Sequence, residues 1–457
     1  MKRAVLLAAT LGSFLTPFMG SSINIALPTI GRELSMDAVL LGWLPTAYLL
    51  AAAVFLVPIG KVADIYGRKR VFTVGIWIDA VSSVLCALAG GSAWLIGCRV
   101  VQGIGNAMMF GTGVAMLTSV FPSGQRGKAL GINVAAVYLG LSLGPFLGGL
   151  LTQYLGWRSI FWANALVSAM VRLFVLSAIK QEWAEAKGER LDIVGSVLYG
   201  VMLILLMYGL TLLPARAGLY LVGLGIAGLG AFIRWEIQTP HPVLDMKLFL
   251  DNRVFAFSNL AALINYSATF GVGLLLSLYL QFVKGLDPAH AGLVLVAQPV
   301  VMSVFSPFAG RLSDRVESRI VASVGMGLIA ISLSLLSFLN EQSSLAFVIA
   351  CLLLLGLGFA LFSSPNTNAV MGSVESKFYG VASATLGTMR LTGQMLSLGL
   401  VMWLLTVYVG KVPITPEVHA ALVLGTGMAF RVFAAFCACG VWASWIRGMT
   451  GNLPAQL

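Results

Sequence analysis

Charge is what this chain is short of. Only 10% of its 457 residues are charged, and 17 of them are acidic, where a soluble globular chain carries roughly 25% charged residues. Histidine occurs three times, as His241, His290 and His419, all in loops, and no metal cluster can be read from them. The five cysteines (Cys86, Cys98, Cys351, Cys437, Cys439) lie in apolar runs without framework spacing, which argues against both a disulfide scaffold and a zinc site. No HExxH, no GxSxG with partners and no His/Asp cluster occurs. A membrane enzyme would need such a nucleophile, metal or carboxylate pair, so neither an enzyme nor a cofactor is expected. Long polar stretches are missing too. The longest loops, about 180–191 and 237–253, are too short for a soluble output domain.

What is present in excess is apolar: 59% of residues, with a mean hydropathy of +0.94. No soluble core hides that much, so the solvent must be lipid. Fourteen apolar runs near twenty residues are found, at about 4–28, 38–60, 71–90, 94–119, 129–152, 159–179, 192–213, 218–236, 254–281, 289–310, 320–339, 344–368, 380–408 and 421–446. The first continues through Asn24 to Pro28, beyond the length of a signal-peptide core, and reads as a retained helix. Of the 28 basic residues, 19 fall on the side of the N-terminus, five on the other side and four inside spans. The positive-inside rule then places both termini in the cytoplasm. The net charge of +11 is thus a topology signal and not a nucleic-acid footprint.

The loop after the second span reads GKVADIYGRKR, with Gly60, Asp64, Gly67 and Arg68, and a weaker copy, GRLSDRVESR, carries Gly310 and Asp314. The same turn recurring 250 residues later is the mark of two related halves. Span 4 contains LIGCRVVQGIGNA, where Arg99 and Gln102 are three apart and share a face. Span 5 contains GLSLGPFLGGLL, in which Gly140, Gly144, Gly148 and Gly149 surround Pro145 and form a close-packing, bendable seam.

On these motifs, together with SINIALP, LYLQFVKGLDPAHAG, SPNTNAVMG and GVASATLGTMRLTGQ, the chain resembles the major facilitator superfamily. It is most similar to the fourteen-span drug:proton antiporter branch. The resemblance implies an all-α integral membrane fold: a six-helix bundle at 1–180, two linking helices within 181–252 and a second six-helix bundle at 253–457. It implies further that Asp64 and Arg68 belong to a latch between the bundles, that Arg99 lines the central cavity and takes part in proton coupling, and that the chain works as a monomer.

Three positions depart from that branch. The aspartate usual in span 1 is replaced by Met19, Asp79 stands in span 3 where an apolar residue is normal, and Arg172 is an unusual charge in span 6. Asp79 is the one acid well inside any predicted span. It lies nine residues beyond Arg70, and Arg172 lies eight before Lys180, which puts both about 12–14 Å from the cytoplasmic end. A buried ion pair between them is the leading expectation, with Asp79 as the coupled-proton carrier or as a solvated side chain left open.

Polar residues inside spans are the candidate substrate contacts: Asn24, Tyr48, Arg99, Gln102, Asn265, Tyr266, Gln298, Asn366 and Arg390. Each can instead be an interhelical tie. Buried arginines with few buried acids favour anionic, zwitterionic or neutral amphiphiles over cations. The expected function is alternating-access export of a hydrophobic or amphiphilic small molecule in exchange for protons, in the cytoplasmic membrane of a prokaryote. The alternative is an uncoupled facilitator or uptake carrier for a small organic solute.

Overall fold

In hydrocarbon, apolar runs of this length satisfy their backbone groups only as helices, and among its described residues the computed structural model has fourteen helices long and apolar enough to cross a membrane. They are span 1 (Lys2–Glu33), 2 (Ala38–Tyr66), 3 (Arg68–Ala87), 4 (Ser92–Val120), 5 (Ser123–Leu155), 6 (Arg158–Ala178), 7 (Ile193–Leu212), 8 (Arg216–Gln238), 9 (Arg253–Val283), 10 (Pro288–Ser313), 11 (Ser318–Leu336), 12 (Leu345–Gly372), 13 (Tyr379–Tyr408) and 14 (Pro416–Trp445). The structure describes residues 1–446 apart from 185–186, 189–190, 214, 240–241, 245, 314, 375–378 and 411, so Asp314 lies outside the described residues.

Caps set several helix starts. The Asp37 carboxylate accepts from the Val39 and Leu40 N–H groups at 2.9 and 2.8 Å, and the Asn252 side chain accepts from Phe255 N at 2.9 Å, as a side-chain oxygen at an N-cap should. The start of span 3 is capped from a distance. Glu182, in the loop after span 6, accepts from Lys69 N at 2.8 Å and Arg70 N at 3.1 Å, while Arg68 N donates to Trp183 O at 2.8 Å. Span 9 is interrupted: an α-helix to Thr269, another from Gly271 to Leu278, then a wider turn over Tyr279–Val283. At the break, Gly271 N donates to Ser397 Oγ of span 13 at 2.9 Å.

Glycines set the packing, and they set it twice. In spans 3 and 4, a methyl added at Gly75 would meet Gly105 O at 2.9 Å, and one at Gly105 would meet Gly75 O at 2.9 Å. The same mutual approach joins Gly325 and Gly358 of spans 11 and 12. Gly103 abuts the Tyr48 carbonyl, and Gly356 abuts the Gln298 carbonyl. Gly140 abuts Phe14 O across spans 5 and 1, and Gly393 abuts Leu263 O across spans 13 and 9. Each of these glycine contacts in spans 1–6 thus has a counterpart about 250 residues later in spans 9–14, which is the physical form of the internal repeat.

The two sets meet mainly on the side away from the N-terminus. There Ser277 Oγ donates to Asn24 O at 2.6 Å, Gln281 Nε2 to Ile25 O at 2.9 Å, and Ala38 N to Val412 O at 3.2 Å. A methyl at Gly149 would come within 2.6 Å of Pro288 O, and Gly292 lies against the Pro145 carbonyl. Spans 7 and 8 pack on each other, and span 7 leans on both sets: Gly200 faces Val54 of span 2, and Gly399 of span 13 faces Met207. Glu236, at the end of span 8, is only 2% exposed and accepts from Leu244 N at 2.9 Å. It is a second buried acid beside Asp79, which the sequence reading had placed at a span boundary.

Candidate substrate site

The expected partnership of Asp79 with Arg172 is corrected by the structure. Asp79, 3% exposed, accepts on Oδ2 from Asn164 Nδ2 at 2.8 Å and from Ser168 Oγ at 2.7 Å, both on span 6. Arg172 instead lies over the Trp77 ring at 4.3 Å. The reason is depth. Span 3 begins at Arg68 and span 6 ends at Ala178, so Asp79, eleven residues in, is level with residue 167 and thus beside Ser168. Counting from Arg70 and Lys180 shifts the register by about one turn, roughly 6 Å.

The buried charges are joined differently. Arg99, 0% exposed, donates through NH1 to Gln102 Oε1 at 2.6 Å and through Nε to Leu44 O at 3.2 Å, and it lies 4.1 Å from the centre of the Tyr48 ring. Gln102 Nε2 donates to Ser83 Oγ at 2.8 Å, and Ser83 also receives Asn164 Nδ2 at 2.9 Å. Arg99, Gln102, Ser83, Asn164, Ser168 and Asp79 therefore form one polar seam through spans 3, 4 and 6. A buried charge persists when hydrogen-bonded and balanced by an opposite one, and Asp79 balances Arg99. Asn164 and Ser168 are spaced by one helical turn, a signal the sequence reading passed over.

The motif after span 2 also acts locally. Arg68 Nε pairs with Asp64 Oδ1 at 2.7 Å, and its NH1 donates to Ser119 Oγ at the end of span 4. Gly67 has φ +118°, and a side chain there would run into Glu182. Gly60 has open space around it, whereas Gly310 faces Ser364 Oγ at 3.0 Å.

Halfway along the spans a second polar group bridges the two sets. Tyr138 OH of span 5 bonds Ser363 Oγ of span 12 at 2.9 Å, and Ser142 bonds Ser303 Oγ of span 10 at 3.2 Å. Arg390 of span 13 donates to Thr367 Oγ1 at 2.7 Å and lies 5.7 Å from the Tyr266 ring centre. Its Nε is buried with no hydrogen-bond partner. Tyr266 in turn packs edge-on against Phe359, with centroids 5.4 Å apart. Arg390 and Tyr266 were expected here; Tyr138, Ser363 and Thr367 were not.

The other candidates scatter. Asn366 Nδ2 donates to Ser258 O at 3.0 Å and ties spans 12 and 9. Asn265 is fully buried with both amide atoms unpartnered. Gln298 is half-buried and reaches only Met302 Sδ at 4.0 Å. Asn24 offers its backbone carbonyl to Ser277, and its side-chain oxygen has no partner.

Known proteins carry the same plan. The Major Facilitator Superfamily profile matches residues 9–394 and 258–456. The chain is 30% identical over 392 residues to the riboflavin transporter RibZ of Clostridioides difficile, covering 85% of each chain. It is 31% identical over 397 residues to the multidrug resistance protein Stp of Mycobacterium tuberculosis, covering 85% of this chain and 73% of that one. Against the cephamycin export protein CmcT of Amycolatopsis lactamdurans the identity is 32% over 405 residues, with 85% and 82% covered. Among solved structures, the human organic anion transporter MFSD10 superposes with a TM-score of 0.67 at 15% identity, covering 97% of this chain and 99% of that one; at that identity the likeness is one of fold.

Proposed function

Because the chain belongs to the Major Facilitator Superfamily and is therefore a multi-pass membrane transporter, we propose that it exports a hydrophobic or amphiphilic small molecule across the cytoplasmic membrane in exchange for protons. Both termini are cytoplasmic in this reading. Residues 1–180 and 253–457 rock as two bodies joined by 181–252, and the chain acts as a monomer. The observation that carries it is the polar group of Tyr138, Tyr266, Thr367 and Arg390. It sits midway along the spans, between two sets of helices that are held together on the far side, as an alternating-access site requires. The export proteins among the relatives support the direction of transport.

Arg390 gives the site its charge, and the substrate is accordingly neutral, zwitterionic or anionic. Asn265 and Gln298 are the remaining contacts from the second half. Asp79 and Arg99 form the coupling pair in this reading, since Met19 offers no acid in span 1.

The test is proton movement in energised inverted vesicles, read with a pH-sensitive dye while a panel of anions, neutral compounds and cations is added. A collapse of the gradient by neutral or anionic compounds, abolished in Arg390→Gln, supports the proposal. Collapse by cations alone refutes the substrate assignment.

A second reading, an uncoupled facilitator, is favoured by the sealed position of Asp79, whose hydrogen-bond partners all belong to the first half. Uptake or efflux of a labelled compound without any proton movement selects it.

A further inference from the structure

Arg172 carries a charge that no described residue answers. Among the described residues it makes no hydrogen bond or ion pair; its Nε is buried without a partner, and its guanidinium rests on Trp77 at 4.3 Å. The surface around it faces lipid. Trp77 is 50% exposed, and Met170, Leu173 and Leu176 of the same span are exposed as well. A full charge on a lipid-facing helix must find water, a headgroup or a protein partner.

Its depth selects the headgroup. Arg172 lies six residues, about 9 Å, from the end of span 6 at Ala178, so its long side chain can turn back towards the interface. At that same end stand Lys69, Arg70 and Lys180, and Glu182, in the loop after span 6, is committed to capping span 3. Trp77 supplies a flat wall that holds the guanidinium plane by cation–π attraction, leaving its edge for a phosphate. Arginine suits this task because its planar fork binds phosphate oxygens in pairs.

We propose that the lipid-facing surface where spans 3 and 6 meet, with Trp77 as its wall and Arg172 as its charge, binds the phosphate of an anionic phospholipid in the leaflet on the N-terminal side. A net-anionic headgroup such as phosphatidylglycerol is preferred over a zwitterionic one, because phosphatidylcholine brings its own cation to compete with Arg172 and its basic neighbours. The site is separate from the substrate group at Arg390 and does not depend on what is transported.

The experiment is native mass spectrometry of the full-length protein in detergent, titrated with phosphatidylglycerol or phosphatidylcholine of identical acyl chains. The wild type should retain phosphatidylglycerol preferentially. Arg172→Gln should lose roughly tenfold in affinity for it, the scale of one charge-assisted contact, with phosphatidylcholine binding unchanged. Arg172→Lys should keep part of the preference, since the charge stays and the fork goes. If Arg172→Gln does not fold, Trp77→Leu serves, because it keeps the charge but removes its wall; a severalfold loss is expected. A wild type that does not discriminate the two lipids overturns the site. So does a folded Arg172→Gln or Trp77→Leu whose phosphatidylglycerol affinity stays within twofold of wild type.

Discussion

Arg99 and Asp79 share one hydrogen-bonded network through Gln102, Ser83 and Asn164. Gln102 takes the arginine's NH1 on its oxygen at 2.6 Å and passes its nitrogen to Ser83, which in turn shares the Asn164 donor with the Asp79 carboxylate. Arg99→Leu should cost about 3–5 kcal/mol, because the opposite charge is left uncompensated in the interior. Adding Asp79→Leu should return part of that loss. Asp79→Ala combined with Arg172→Ala should be additive within about 0.5 kcal/mol, since the two share no partner. Thermal unfolding of the purified variants decides it: coupling to Arg172 and none to Arg99 would refute the seam.

Tyr138 and Ser363 join the two halves midway along the spans with one hydrogen bond of 2.9 Å. Tyr138→Phe removes it while keeping the ring. A net loss of about 0.5–1.5 kcal/mol corresponds to a drop in transport rate or substrate affinity of up to about tenfold. Tyr154→Phe, on a residue 76% exposed, should have no effect. Equal transport by wild type and Tyr138→Phe would remove Tyr138 from the site.

The far seam depends on glycine. A side chain at Gly149 would sit 2.6 Å from Pro288 O, so Gly149→Val should hold spans 5 and 10 apart and stop transport. With Ser277→Cys as a reporter buried between the halves, an impermeant thiol reagent applied from the far side should label Gly149→Val faster than its parent. Gly230→Val, where nothing lies within 4 Å, is the control. Unchanged labelling would mean that the seam does not close by glycine contact.

Asp287 starts span 10 by accepting from His290 N at 2.9 Å, and its side chain also meets the His290 ring at 2.6 Å. The His290 backbone N–H holds this carboxyl below its usual range. A carboxyl with a lowered folded pKa adds stability above its unfolded value, and the gain is lost as pH falls through the folded one. Acidification should therefore loosen the cap only below about pH 4. Asp287→Asn should keep the cap and lose that pH dependence, and Asp287→Ala should cost about 1 kcal/mol, all read as melting temperature against pH.

The spans were legible because a membrane imposes a one-dimensional rule on length and polarity. The repeat was legible in the GKVADIYGRKR copy, and its glycine contacts follow the same offset. Pairing was not legible. The partner of Asp79 depends on where helices 3 and 6 end, which basic loop residues mark only to within a turn. Ser363 and Thr367 are not legible because serine and threonine hydroxyls in membrane helices usually bond their own preceding turn, as Thr367 also does with Ser363 O at 2.8 Å, and Tyr138 because an aromatic in a span reads first as packing. Nothing in one sequence marks which of them faces another helix.

The cap on span 3 bears on how the molecule moves. Glu182 and Trp183, just after span 6, are held against the first half by accepting from three backbone N–H groups. In the rocking cycle proposed above, residues 182 and 183 travel with the first half, and span 7, which packs on both sets, must slide against one of them. The displacement must then be taken up on the other face of span 7, where Gly399 leaves Met207 room to pass. A thioether against a bare backbone is a low-friction bearing, and bulk added at Gly399 should act as a brake on the transport cycle while leaving the resting fold intact.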